Sequence, residues 1–111
     1  MEVARSIVNV LEEKKGENIV LLDIHEIASF ADYFIVCSGT SDRMLGALAD
    51  AVSEAIHKEH HLPARIEGHA EDGWVLVDAG DTIVHLFDPE QRDYYRLEQL
   101  WDQGKVLLKL Q

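Results

Sequence analysis

Cysteine is almost absent from the sequence, since Cys37 is the only one among 111 residues. A single cysteine cannot close an internal disulfide, and it cannot form a cysteine-based zinc site alone. Disulfides therefore play no part in this fold, as is typical of proteins from a reducing compartment. Because the thiol follows the apolar pair Ile35 and Val36, we expect Cys37 to be a small buried hydrophobe.

Long apolar runs are also missing. No stretch approaches the roughly 20 apolar residues that span a bilayer. Met1 is followed by Glu2 and an amphipathic pattern, which differs from the basic and then apolar regions of a signal peptide. We therefore expect a cytoplasmic protein with no membrane partner.

Proline is scarce, with only Pro63 and Pro89, and there is no linker rich in proline, glycine or serine and no internal repeat. With 47% hydrophobic residues, a chain of this length can bury one core but hardly two. The sequence predicts a single domain over residues 1–111, with a core from about 3 to 103 and a short C-terminal tail from 104 to 111.

Positive charge is the fourth scarcity: 10 basic residues stand against 21 acidic ones, a net charge of −11. Such a chain is repelled by phosphate backbones and attracted to cationic surfaces. Direct sequence-specific nucleic-acid binding is therefore disfavoured, whereas a basic protein partner is allowed. Residues 67–93 contain eight acids and one base, Arg92, so this segment carries −7 of the total.

Apolar periodicity predicts an α/β domain in which helices pack on a mixed sheet. Ser41 is the expected N-cap of the second helix, and Asp88 that of the third. Gly16 is the expected left-handed end of the first helix. The predicted helices are 3–15, about 42–59, and one from Pro89 to near Gly104. The predicted strands are 19–24, 33–37, 64–67, 73–79 and 82–87. Residues 106–110 are either a short added strand or a loose tail, and strand order is not derivable.

Gly80 and Asp81 join the last two of these strands and indicate an antiparallel hairpin. Both faces of this hairpin carry large apolar side chains. Either helices cover both faces, or one face is kept for a partner. Alternation along the first strand of the hairpin places Val75, Val77 and Ala79 on one face and Trp74, Leu76 and Asp78 on the other.

Residues 38–41, with the sequence Ser-Gly-Thr-Ser, lead a strand into a helix N-terminus, where backbone N–H groups can bind phosphate. Neither a Walker lysine nor a triple-glycine pattern is present, so helix capping is favoured over anion binding. Asp78 and Asp81 are candidate magnesium ligands, but hairpin turns recruit aspartate for backbone geometry. A phosphoryl transferase would also need more nearby positive charge than Arg92 supplies.

Histidines offer two further candidate sites. His57 and His61 are four residues apart and suit zinc on a continuous helix, although a solvated helix end is favoured because Pro63 is close. His85 lies within a strand with no nucleophile motif, which favours a packed, hydrogen-bonded side chain over a general base.

Larger segments of the sequence resemble the ribosomal silencing factor family, also called Iojap. The match is collinear from about residue 5 to 103, and the run from 74 to 101 is far more specific than any short motif above. The segments that carry it are DYFIVCSGTSDR at 32–43, EG at 67–68, WVLVD at 74–78, GD at 80–81, VHLF at 84–87, PE at 89–90, Arg92, YY at 94–95, LE at 97–98 and LW at 100–101.

The resemblance implies an α/β fold with nucleotidyltransferase-like topology but without catalytic residues. It also implies a non-enzymatic regulator with no cofactor. Such a factor binds ribosomal protein fourteen of the large ribosomal subunit, prevents the small subunit from joining, and lowers translation when nutrients are scarce. Two alternatives stay open: a degenerate or active nucleotidyltransferase that binds nucleotide and magnesium, and a scaffold that forms a homodimer.

By the same resemblance, nine residues are expected to bind the ribosomal protein. Acids steer the encounter, and aromatic side chains with Leu76 supply contact area. Ala79 stands where family members often carry an aromatic residue, which predicts fewer contacts at the hairpin tip. The nine residues are Trp74, Leu76, Asp78, Asp81, His85, Asp88, Arg92, Tyr94 and Tyr95.

Overall fold

The structure, a computed structural model, describes residues 1–96, 102 and 104–110. These residues form a single α/β domain with a six-stranded mixed sheet, which confirms the predicted fold class. The helices are α1 (Glu2–Glu13), α2 (Asp42–His60) and α3 (Pro89–Tyr95). The strands are β1 (Glu17–Asp23), β2 (Tyr33–Ser38), β3 (Arg65–His69), β4 (Trp74–Asp78), β5 (Thr82–Phe87) and β6 (Lys105–Leu110). A short 3-10 turn, Ala70–Asp72, connects β3 to β4. No helix in the described part of the chain has the length and apolarity needed to cross a membrane.

The sheet has the strand order β3-β4-β5-β2-β1-β6. β2 and β5 are parallel, and every other neighbouring pair is antiparallel. A parallel pair needs a long crossover, which α2 and the β3–β4 hairpin provide here. The centre of the sheet is therefore made by strands that lie far apart in the sequence.

α1 and α2 pack side by side on one face of the sheet, here called the helix-covered face. Their inward residues include Ile7 and Leu48, which are 0% and 1% exposed. Cys37 lies in the same core, as the sequence predicts, and burial raises the pKa of its thiol to about 12. Ala79 is 4% exposed in this core. Its side chain therefore lies on the helix-covered side of the hairpin, and the expected loss of partner contacts at the hairpin tip stays a prediction.

The helix ends follow the predicted capping in two cases and depart from it in one. Ser41 Oγ accepts a hydrogen bond from Met44 N at 3.1 Å, which confirms the cap of α2. Asp88 Oδ1 accepts one from Gln91 N at 2.8 Å, which confirms the cap of α3. After α1, Lys15 adopts the left-handed conformation, with φ 70°, in place of Gly16. Gly16 is required for space, since a Cβ there would lie 2.5 Å from Cys37 Sγ.

α3 is much shorter than the predicted helix. It ends at Tyr95 because Arg96 turns left-handed, with φ 47°, and its N–H donates to Arg92 O. Apolar residues continue at helical spacing beyond this point, which is why periodicity extended the prediction to Gly104. Leu97, Leu100 and Trp101, the apolar residues of that extension, lie outside the described residues.

The C-terminal residues predicted as either a strand or a loose tail form a strand, β6. β6 pairs antiparallel with β1 and forms one edge of the sheet. The register shifts between Leu21 and Leu22, which marks a bulge in the pairing. Val106 is 57% exposed, so this strand closes the sheet without adding much core.

A candidate protein-binding face

Among the described residues, the sheet face opposite α1 and α2, here called the open face, has no full helical layer. At its β1 end, residues 24–32 pack over Leu22 and Phe34 in a small second core. Beside β5, the seven-residue α3 contributes Tyr95, whose ring centroid lies 5.7 Å from that of Phe87. Among residues 1–96, 102 and 104–110, helices therefore cover the open face only beside β5, and the use of this face by a partner stays a prediction.

The register of β3, β4 and β5 arranges the open face in rows that cross the strands. Trp74 pairs with Phe87, Leu76 with His85, and Asp78 with Ile83. On the β3 side, Glu67 pairs with Leu76 and forms the edge of the middle row. The open face therefore has apolar side chains near its centre and a charged side chain, Glu67, at its β3 edge.

Five ring-bearing side chains, here called the aromatic cluster, lie together on and beside this face. The ring centroids of Trp74, His85 and Phe87 are 6.1–6.2 Å apart, and their planes agree within 12°. Tyr95 lies 6.1 Å from Trp74, and Tyr94 meets Tyr95 edge-on at 5.0 Å. Trp74, Tyr95 and Tyr94 are 36%, 45% and 78% exposed. The cluster thus presents large apolar area to solvent.

His85 lies within the cluster and is only 6% exposed. Its Nδ1 accepts a hydrogen bond from Trp74 Nε1 at 3.4 Å. Burial lowers the pKa of His85 to about 4, so the ring is neutral near pH 7. This confirms a packed and hydrogen-bonded histidine. Its other nitrogen, Nε2, has no hydrogen-bond partner in the described part of the structure.

Asp78 and Asp81 take part in the hairpin turn. Asp78 Oδ1 accepts a hydrogen bond from Gly80 N at 2.9 Å, and Asp81 Oδ1 accepts one from the Thr82 hydroxyl at 3.1 Å. Asp81 is exposed and Asp78 is half-buried. Asp78 therefore combines a turn role with a position at the rim of the open face, beside Ile83, whereas Asp81 is an exposed acid of the turn itself.

Asp88 and Arg92 hold α3 in place. Besides the Asp88 cap, Asp88 N donates to Gly73 O at 3.0 Å. Arg92 Nη1 donates to Asn18 O at 2.5 Å and to Ser38 Oγ at 2.9 Å. Both side chains thus act within the fold, and they position the helix that carries Tyr94 and Tyr95.

The residues proposed for other chemistry are engaged elsewhere. Ser38 Oγ is bound by Arg92 and Ser41 caps α2, so the two serines of the phosphate hypothesis have structural partners. His61 adopts the left-handed conformation after α2, and His60 bonds Ser6 Oγ at 2.8 Å. Among the described residues, no group of three or more histidine, cysteine, aspartate or glutamate side chains is arranged to hold a metal ion.

Phe34 is a member of the open face that sequence reasoning missed. Its ring meets His85 edge-on, with centroids 4.8 Å apart. The contact depends on the parallel pairing of β2 with β5, which aligns Phe34 with Ile83. No local pattern reports that pairing, so no sequence signal identifies the contact.

Comparison with known proteins agrees with this architecture. Residues 1–110 match the family model described as "Ribosomal silencing factor during starvation". "Ribosomal silencing factor RsfS" of Bacillus subtilis is 40% identical over 90 residues, which cover 81% of this chain and 76% of that protein. A crystal structure of protein CV0518 from Chromobacterium violaceum superposes with a TM-score of 0.85 at 40% identity, covering 91% of this chain and 84% of that one. A mouse protein named "Mitochondrial assembly of ribosomal large subunit protein 1" is 35% identical over 86% of this chain and 43% of its own length.

Proposed function

The chain belongs to the ribosomal silencing factor family, and from that premise we propose that it represses translation by binding the large ribosomal subunit. The docking point is ribosomal protein fourteen of that subunit, on the surface that meets the small subunit. Occupation of this surface prevents the subunits from joining and reduces protein synthesis under nutrient limitation. The protein acts in the cytoplasm, where ribosomes work.

The observation that supports this proposal is the aromatic cluster on a sheet face that the described helices leave largely uncovered. Protein interfaces are enriched in exposed aromatic anchors surrounded by polar residues. Trp74 and Leu76 lie at the centre of the face, and Tyr94 and Tyr95 extend it. This arrangement suits contact with another protein better than enclosure of a small ligand.

Charge favours a basic partner. Residues 67–93 have a net charge of −7, Asp78 lies on the open face in register with Ile83, and Asp81 lies in the adjoining turn. Opposite charges on approaching surfaces accelerate association and orient the encounter. A basic ribosomal protein has the complementary charge.

The nine predicted residues divide by what they do. Trp74, Leu76, Tyr94 and Tyr95 supply contact area, and Asp78 and Asp81 steer the encounter. The remaining residues, His85, Asp88 and Arg92, hold the others in position through the hydrogen bonds described above.

The mechanism is steric. With the open face docked, the rest of a domain measuring 34 × 33 × 23 Å projects from the subunit and occupies the space of the joining surface. No covalent bond is made or broken, and neither a cofactor nor a metal ion takes part. Repression therefore requires only that the docked protein stay in place.

Sedimentation of purified large subunits with this protein tests the proposal. We expect the protein to co-migrate with large subunits and to suppress their joining with added small subunits. Isolated ribosomal protein fourteen should compete for binding, which tests the docking point separately. Full joining while the protein saturates the large subunit would contradict the steric mechanism, and magnesium-dependent turnover of ATP would favour the transferase alternative.

Size-exclusion chromatography adds a check on homodimerisation. If two copies pair through the open face, the dimer and the ribosome-bound protein compete, and large subunits shift the protein from dimer to monomer. A dimer that binds large subunits intact would instead indicate a pairing surface elsewhere.

A further inference from the structure

Three polar side chains are buried in the described part of the chain, and only one of them has an unsatisfied atom. Ser38 Oγ accepts a hydrogen bond from Arg92, and the Thr82 hydroxyl donates to Asp81. His85 uses Nδ1 but leaves Nε2 without a partner. Native proteins pair the great majority of buried polar atoms, so an orphaned one requires an explanation.

Hydrogen bonding identifies the orphaned atom as a donor. The indole N–H of Trp74 can only donate, so Nδ1 of His85 accepts and carries no proton. The ring is neutral near pH 7, because burial disfavours the charged form. The single ring proton therefore lies on Nε2, and an N–H group is left without an acceptor.

The described neighbours of this N–H group supply no acceptor. His85 lies in the middle row of the open face, between Leu76 on β4 and Val36 on β2. The Phe34 ring meets it edge-on. An interior water needs two to four polar partners, which these apolar side chains do not offer. The N–H group is thus destabilising in the free protein.

The position of the ring places this group just beneath the docking surface. Nε2 lies on the edge of the imidazole farthest from the backbone, and the ring is 6% exposed. Trp74 and half-buried Leu76 flank it and reach solvent.

We propose that His85 Nε2–H is a specificity-determining donor, which a backbone carbonyl of the docked protein accepts. This inference rests on the proposed function. Arginine and lysine side chains only donate, so a basic surface satisfies this group through its main chain. A carboxylate of the partner is disfavoured as the acceptor, because the acidic side chains around the open face would repel it. His85 thus selects partners that place a carbonyl group over the centre of the open face.

Two substitutions at His85 separate hydrogen bonding from packing. His85→Phe keeps a ring of similar shape and removes both nitrogens, whereas His85→Gln loses the ring but keeps an N–H donor at similar reach. We expect His85→Phe to raise the melting temperature of the free protein and to weaken binding to large subunits about tenfold. We expect His85→Gln to bind more tightly than His85→Phe, although it fills the site less well.

A pure packing role predicts the reverse order, in which His85→Phe binds as the unchanged protein does and His85→Gln binds worse. That order, or a lower melting temperature for His85→Phe, would overturn the inference. If the unchanged protein does not bind large subunits at all, the proposed function fails, and this inference fails with it. Imidazole ¹⁵N spectra give an independent readout: Nε2 is protonated in the free protein, and its proton shifts downfield on binding. An unchanged proton resonance in the complex would also contradict the proposal.

Discussion

The two faces of the sheet show how adjacent residues of one strand serve different purposes. On β4, Val75 and Val77 point into the helix-covered face and are 3% and 0% exposed. Trp74 is 36% exposed on the open face, where Leu76 is half-buried. One face is closed by two helices and stabilises the domain, whereas the other presents aromatic and acidic side chains. A step of one residue along the strand therefore separates the core from the proposed binding surface.

The largest contrast between the faces is expected in stability. Leu48→Ala removes a side chain that is 1% exposed between α2 and the sheet. It should lower the free energy of unfolding by about 2–5 kcal/mol, because the cavity collapses only partly. Urea denaturation measures this. The folded fraction should still bind large subunits with unchanged affinity, and a matching loss of affinity would show that the two faces are not independent.

The two faces should also limit stability at opposite ends of the pH range. His85 on the open face has a pKa lowered to about 4 from 6.5, so the unfolded chain binds its proton first as pH falls. Stability is then lost from about pH 6.5 down to pH 4, by on the order of 3 kcal/mol. Cys37 on the helix-covered face has a pKa raised to about 12 from 9.0. The unfolded chain loses this proton first, so stability falls as pH rises from 9.0 towards 12.

The free energy of unfolding, measured by urea denaturation across this pH range, tests both the loss of stability at acid pH (the acid limb) and the loss at alkaline pH (the alkaline limb). His85→Phe should flatten the acid limb and leave the alkaline one, and Cys37→Ala should do the reverse after its own loss of core volume is subtracted. If the acid limb of His85→Phe is as steep as that of the unchanged protein, titrating groups other than His85 cause the loss of stability at acid pH.

A single substitution on the open face should weaken binding more than it alters folding. Trp74→Ala is expected to cost on the order of 2 kcal/mol of binding free energy, about 30-fold in affinity, as for a central aromatic anchor. Ile66→Ala is the matched control, because Ile66 is 42% exposed but lies in register with Val77 of the helix-covered face. Equal affinities for the two variants, measured by sedimentation, would remove Trp74 from the contact surface.

The smallest effect should come from the acids at the rim. Asp78→Asn with Asp81→Asn keeps the side-chain acceptors of the turn and removes two charges. Association with large subunits should slow a few-fold at low salt, and the difference should shrink as ionic strength rises. Asp50→Asn with Glu54→Gln makes the same change of charge on α2. If both double variants slow association equally, the net charge of the protein sets the association rate, and the acids near the open face have no special role.

Local sequence signals were sufficient to predict most of the helices and strands. Capping residues located the starts of α2 and α3, and the Gly80-Asp81 turn located the β4–β5 hairpin, because these features depend on neighbours in the chain. The end of α3 was predicted wrongly, because a left-handed Arg96 stops the helix although apolar spacing continues. The aromatic residues of the site were also recognisable, but whether they were buried between two layers was not.

The sequence alone determined the fold class, most of the helices and strands, the family and the concentration of negative charge between residues 67 and 93, since each depends on residues close together in the chain. Only the tertiary structure decided that β2 lies beside β5. Within the part of the chain that it describes, it also decided that the helices pack mainly on one face of the sheet and that the N–H group of His85 has no acceptor on the other. The physical reason is that burial depends on long-range pairing. The pattern of residues along a strand is the same whether a helix or a partner protein covers its second face, so the pattern alone does not distinguish the two.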